Sequence, residues 1–174
     1  DDTVGEEAKK LHNDALKMLD DVCAKKSLQA KGIIGIWPAN SVGDDIEVYD
    51  ASGSGAVLGT FHTLRQQEER EDITYYAMSD FIAPKGSGIT DYIGAFAVSC
   101  GFGCEEICKK LRAEANDYDG IMMEAIADRL AEALAEYIHL KMRKELWGYA
   151  ASEELTPDDM LKTKYQGIRP APGY

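Results

Sequence analysis

What this sequence lacks narrows its reading first. No apolar run approaches the ~20 residues that cross a bilayer, so no membrane span is expected. Cations are scarce. Lys and Arg number 19 against 31 Asp and Glu, a net charge of −12. A general nucleic-acid binder needs a basic footprint, and this balance sets that class aside. A single well-placed arginine can still hold a small anion. The opening run Asp1-Asp-Thr-Val-Gly-Glu-Glu7 has no signal-peptide pattern. Four cysteines without such a signal fit a reducing, cytoplasmic setting better than a disulfide framework. What is present suits a soluble globular chain: 174 residues, 45% hydrophobic and 29% charged, expected to form one domain with its own core.

The periodicities place the elements. From Glu6 to about Lys26, Leu11, Ala15, Met18, Leu19 and Val22 recur at three- and four-residue steps, which predicts an amphipathic helix. Gly32-Ile-Ile-Gly-Ile-Trp-Pro38 is a short apolar run stopped by proline and reads as a buried strand. Ala39 to Asp45 reads as a loop. Ile46 to Tyr49 and Ala56 to Leu64 flank Gly53-Ser-Gly55 and predict a hairpin. Tyr75 to Ile82 reads as a strand. Asp91 to Val98 is the most apolar strand pattern and is expected at the centre of the sheet. A helix is expected from Cys104 to about Ala115. The longest is expected from about Ile121 to Trp147, with a buried stripe of Met122, Ala125, Ile126, Ala133, Leu134, Tyr137 and Ile138. Thr156-Pro-Asp-Asp159 starts a short helix, with a capping threonine, a proline at the first position and acids in the first turn. Strands followed by helices imply an α+β fold: a mainly antiparallel twisted sheet packed with one long and several shorter helices.

The chain closes on Tyr165-Gln-Gly-Ile-Arg-Pro-Ala-Pro-Gly-Tyr174. Pro170 and Pro172 fix φ and push Arg169 and Ala171 toward extended geometry, so the run is expected to be a stiff arm. It carries one fixed cation, Arg169, and one aromatic, Tyr174. Arg grips a carboxylate bidentately, and a tyrosine face stacks on a base or sits against a cation. A small zwitterion with an aromatic group suits such an arm.

The run Arg169-Pro-Ala-Pro-Gly-Tyr174 resembles the signature of the C-terminal reactivation domain of cobalamin-dependent methionine synthases. Trp37-Pro-Ala-Asn-Ser-Val-Gly-Asp-Asp-Ile46, Leu64-Arg-Gln-Gln67, Ser79-Asp-Phe-Ile-Ala-Pro84, Asp91 to Val98, Asp128 to Tyr137 and Arg143-Lys-Glu-Leu-Trp-Gly-Tyr149 are similar to it as well. The resemblance runs from about Gly5 to Tyr174. It implies a domain that binds S-adenosylmethionine (AdoMet) and presents it to cobalamin oxidised to the cob(II) state. With an electron from a flavodoxin or similar reductase, the methylated cofactor is restored. The parent enzyme is a methyltransferase. This fragment is expected not to be catalytic by itself, and the cobalamin is held by another domain of the same enzyme. Arg169 is expected to hold the AdoMet carboxylate. The backbone of Pro170, Ala171, Pro172 and Gly173 would line the ligand, and Tyr174 would pack at the site. Glu132 would take the methionine ammonium or support Arg169; read as a residue alone, it also fits the edge of an apolar stripe reaching water. In the family the domain begins upstream of this chain and continues beyond Tyr174. The chain is therefore expected to be an internal part of that domain.

Other constellations compete. Asp44 and Asp45 are adjacent loop acids, able to bind a metal or an amine but ordinarily solvated. Gly101-Phe-Gly103 follows a strand and precedes a helix, yet Glu106 stands where a G-x-G-x-x-G turn needs its third glycine. A stand-alone AdoMet methyltransferase built there is the weaker alternative. Cys100, Cys104 and Cys108 are evenly spaced but lack an iron–sulfur pattern, and Cys104 and Cys108 are expected to pack as small hydrophobes. His139 has no partner at metal spacing and is read as structural. A non-catalytic docking module for the cobalamin domain and a reductase is a further alternative. Lys109, Lys110 and Arg112, or Lys141, Arg143 and Lys144, would be its cationic patches.

Overall fold

The structure is a computed structural model that describes residues 2–69 and 74–167. It divides into two units, Asp1–Ile33 with Phe96–Tyr174, and Ile34–Ala95. The fold is α+β. Helix α1 spans Asp2–Lys25 and is followed by strands β1 (Gln29–Val42), β2 (Asp45–Tyr49), β3 (Val57–His62) and β4 (Asp91–Phe102). Helices α2 (Cys104–Ala113), α3 (Asp117–Lys141) and α4 (Pro157–Leu161) complete it. The strands form one sheet in the order β3-β2-β1-β4, with β1/β2 and β2/β3 antiparallel.

The sheet corrects three expectations. β1 does not stop at Pro38 but runs on to Val42. Pro38 lies just ahead of the ladder to β2, which starts at the Ala39–Val48 pair, so its missing N–H removes none of those bonds. The expected loop shrinks to the two residues Gly43 and Asp44, between the paired Val42 and Asp45. β4 is at the sheet's edge rather than its centre. A run of apolar residues records burial without saying whether a strand or a helix provides it.

The expected strand at Tyr75–Ile82 is replaced by an irregular segment and a 3-10 turn at Met78–Phe81. The Asp80 carboxylate accepts from the Ala77 amide at 3.0 Å, and the Asp80 amide donates to the Ala77 carbonyl at 3.1 Å. That local closure outcompetes extension. The following residues zip onto β1. Ser41 donates from its amide to Ala83 and accepts at its carbonyl from Lys85, at 3.0 and 2.9 Å. Asn40 donates to the Ala83 and Ile89 carbonyls. These bonds satisfy a loop that lies against buried Ala39 and Ser41.

In the other unit, α1, α2 and α3 share a core of Val22, Cys104, Cys108, Met123 and Ala127, flanked by Met18, Leu28 and Ile107. Burial of each larger side chain contributes about 1.5–3 kcal/mol. The stripe of α3 differs from the periodic reading. Met122, Ile126 and Ile138 are buried as expected; Ala125, Ala133 and Tyr137 are exposed, and Met123, Ala127, Ala135 and His139 take their place. On α1, Leu11 is exposed and only the C-terminal half of the stripe is covered. The helix starts are local. Asn116 accepts from the Asp119 amide at the head of α3. Thr156 and Asp159 form a reciprocal capping box at the head of α4, with Pro157 first.

Candidate functional site

Helix α3 opens into a π-helical turn at Met142–Leu146, and Arg143 sits in it with no solvent exposure. A buried guanidinium requires partners for its donors. Its Nε donates to both Glu153 oxygens at 3.1 Å and its Nη2 to Oε1 at 2.8 Å. The Glu153 side chain is only 9% exposed. Nη1 lies 2.6 Å from His139 Nδ1, one turn earlier on the helix. Arg only donates, so this nitrogen accepts and the imidazole is neutral. Burial first, and then the Arg143 charge, push the His139 pKa down to about 4. The fourth wall is Tyr165, buried with its ring centroid 4.2 Å from the guanidinium carbon and packed edge-on to His139 at 5.0 Å. Four residues spread over 27 positions thus make one closed cluster. It lies where the chain leaves α4 for the Arg169 arm.

The arm itself, Arg169, Pro170, Ala171, Pro172, Gly173 and Tyr174, lies outside the described residues. Glu132 is described. It sits on α3 with a 26% exposed side chain and pairs at 2.7 Å with Arg129, one turn back and far more exposed.

In the Ile34–Ala95 unit, a second cation organises three loops. Arg65 donates to Asp44 Oδ1 from Nε and Nη2 (3.1 and 2.7 Å), to both Asp80 oxygens (2.7 and 2.8 Å) and to the Tyr75 carbonyl (2.8 Å). The Arg65 guanidinium, and then the Ala77 amide, hold the Asp80 carboxyl down at about 2. Asp44 is thus engaged by Arg65, and Asp45 faces His62 Nδ1 at 2.9 Å. Among the described residues no group of three or more His, Cys, Asp and Glu side chains is placed to hold a metal ion.

The remaining candidates resolve into packing. Cys104 and Cys108 are buried, their sulfurs 3.7 Å apart, and Cys108 reaches the Gly120 carbonyl. Burial raises the Cys104 thiol to about 11, so it stays neutral and inert. Gly103 has φ +96°, and a Cβ there would stand 2.6 Å from the Ser27 carbonyl oxygen. Its glycine answers that close approach. Of the residues in the cationic patches, Arg143 is buried, while Lys141, Lys109 and Arg112 stay at the surface in ion pairs with Glu145, Glu105 and Glu124. No described helix is long and apolar enough to cross a membrane.

A family model described as vitamin B12 dependent methionine synthase, activation domain, matches residues 1–174. The chain belongs to this family. The activation domain also resembles a solved structure of the MetH reactivation domain bound to AdoHcy, with a TM-score of 0.89 and 49% sequence identity. The match covers 100% of this chain and 54% of that one, so the chain spans about half the length of that solved relative. Three of the stretches that carry the resemblance in sequence, 37–46, 64–67 and 79–84, are those that Arg65 ties together. The Arg143 cluster of the activation domain was not legible beforehand. Its members are 10 to 22 residues from Arg143 apart from His139, and nothing local marks Arg143 as buried.

Proposed function

We propose that this chain is the AdoMet-binding part of a longer activation domain and supports reductive methylation of cob(II)alamin, returning a methionine synthase to methyl transfer in methionine biosynthesis. The observation that supports this is the likeness over its whole length, at 49% identity, to a reactivation domain bound to AdoHcy. AdoHcy is AdoMet without its transferable methyl group. Cobalamin, held by another domain of the same enzyme, supplies the methyl-accepting cobalt. A flavodoxin or similar reductase supplies the electron.

The part played by these residues is binding and orientation. Arg169 holds the ligand carboxylate through a bidentate, charge-assisted pair. Glu132, partly buried on α3, takes the ammonium in exchange for Arg129. The backbone of Pro170, Ala171, Pro172 and Gly173 lines the ligand, and Tyr174 packs against it. Stiff prolines suit this task because little chain entropy remains to be lost on binding. Isothermal titration with AdoMet tests the reading, with the wild-type chain, its full-length parent and Arg169→Ala. Wild-type parent binding with at least tenfold weaker binding by Arg169→Ala is the expected result. No binding by the wild-type parent, or no loss in Arg169→Ala, overturns it.

A further inference from the structure

At one end of the sheet sits the strand least suited to an edge. From Tyr92 to Phe102, β4 holds no charged residue, no histidine and no proline. β1 lies on one of its edges, and among the described residues no strand lies on the other. In the unit that contains Phe96–Phe102, one face is already covered. A Cβ on Gly32 of β1 would stand 2.5 Å from Ile138 Cδ1 of α3 and 3.6 Å from Val98 Cγ1. Cys100 is buried, with 4% exposure. The Gly101 amide takes an acceptor from its own strand, donating to the Ser99 hydroxyl at 3.3 Å.

A free edge offers every second N–H and C=O to another strand, and natural sheets guard it with charges, proline, bulges or brevity. The two ends of this sheet differ in that respect. β3 is six residues long, its register shifts against β2 between Val48 and Tyr49, and its His62 faces Asp45 at 2.9 Å. β4 is twelve residues long and carries neither charge nor proline beyond Asp91. An uncharged strand of that length suits an inner position, with its backbone groups paired on both sides. The solved relative matches the whole of this chain, yet the match takes up only 54% of that molecule. Polypeptide able to supply the missing pairing is therefore present in it.

We propose that the open edge of β4, over Phe96–Phe102, receives a further β-strand from the part of the longer activation domain outside residues 1–174, which makes β4 an inner strand of the complete sheet. Main-chain hydrogen bonds supply the attachment, and β4 sets no like charge against the incoming strand. This rests on the reading of the chain as part of a longer activation domain.

Residue-resolved hydrogen exchange on the full-length polypeptide that carries these residues tests this, read at the Ala97, Val98, Ser99 and Cys100 amides. An edge strand protects every second amide, and an inner strand protects consecutive ones. All four are expected to exchange at least about a hundredfold more slowly than in an unstructured chain, and at the same rate over an about tenfold range of protein concentration. Protection that alternates along the four, or is absent, overturns the proposal. Protection of all four that grows with concentration also overturns it, because a second copy then fills the edge. The two readings fail differently, and the intact mass of the natural polypeptide separates them. A polypeptide no longer than these 174 residues overturns the longer-domain reading and this proposal together. A longer one with alternating protection overturns this proposal alone.

Discussion

Replacing Arg143 by methionine isolates the energetics of the buried cluster. Methionine fills much of the space but donates nothing. Glu153 would keep its charge at 9% exposure without the guanidinium that now gives it three contacts, and His139 Nδ1 would lose its donor. Removing one partner of a buried pair costs about 3–5 kcal/mol, because the other charge is left uncompensated. In a chain of this size each kcal/mol moves the midpoint by about 2–4 °C, so a fall on the order of 10 °C is expected. The double variant Arg143→Met with Glu153→Leu removes both charges. It is expected to recover more than half of the loss, since the penalty resides in the orphaned carboxylate. Urea denaturation at pH 7 of wild type, both single variants and the double variant measures this. A single-variant cost below ~1 kcal/mol would refute the reasoning. So would a double variant whose cost equals the sum of the singles, because the charges would then not be coupled.

Three further outcomes follow from the same geometry. His139 titrates near 4 when folded and near 6.5 when unfolded, so the unfolded chain binds more protons between those values. Its contribution is full above pH 6.5 and is lost as pH falls toward 4. Allowing for solvent screening, it amounts to about 1–2 kcal/mol. His139→Asn should flatten the midpoint-versus-pH curve in that window, and an unchanged slope would refute the assignment. Arg65→Met should let the Asp80 carboxyl rise from about 2 toward the ordinary value near 3.9, followed by its NMR titration; a carboxyl that stays near 2 would show that the Ala77 amide alone holds it down. Thr156→Ala removes the cap of α4 and should cost about 1 kcal/mol, with faster amide exchange at Asp159; unchanged exchange would mean that the capping box is not formed.

Several elements were legible before any coordinates because the forces that make them act over a few residues. The 3.6-residue pattern places α1 and α3 to within a few residues of where they fold. Thr156-Pro157 marks the start of α4 because the orphan amides of a first turn need an acceptor at that spacing. The β2–β3 hairpin is a local pairing across a short turn. The α+β class follows from the order of these patterns, and the family resemblance from particular residues at particular positions. The stiff arm expected from Arg169, Pro170 and Pro172 lies outside the described residues.

Tertiary structure decided the rest, where partners distant in sequence compete. β4 looks central by composition, yet strand order depends on which edges meet, and apolar content does not record that. Tyr75–Ile82 looks like a strand by its aromatics, but a turn closed by Asp80, itself drawn to Arg65, is more favourable than extension. The covered face of α3 rotates toward Met123 and Ala127 because α1 and α2 choose which side is buried. Asp44 looked like a solvated loop acid and Arg143 like a surface cation. Each takes its role from a partner 10 or more residues away: Asp44 from Arg65, Arg143 from Glu153 and Tyr165. A charge in a sequence carries no record of its dielectric surroundings. Only packing determines whether it faces water or an ion-pair partner.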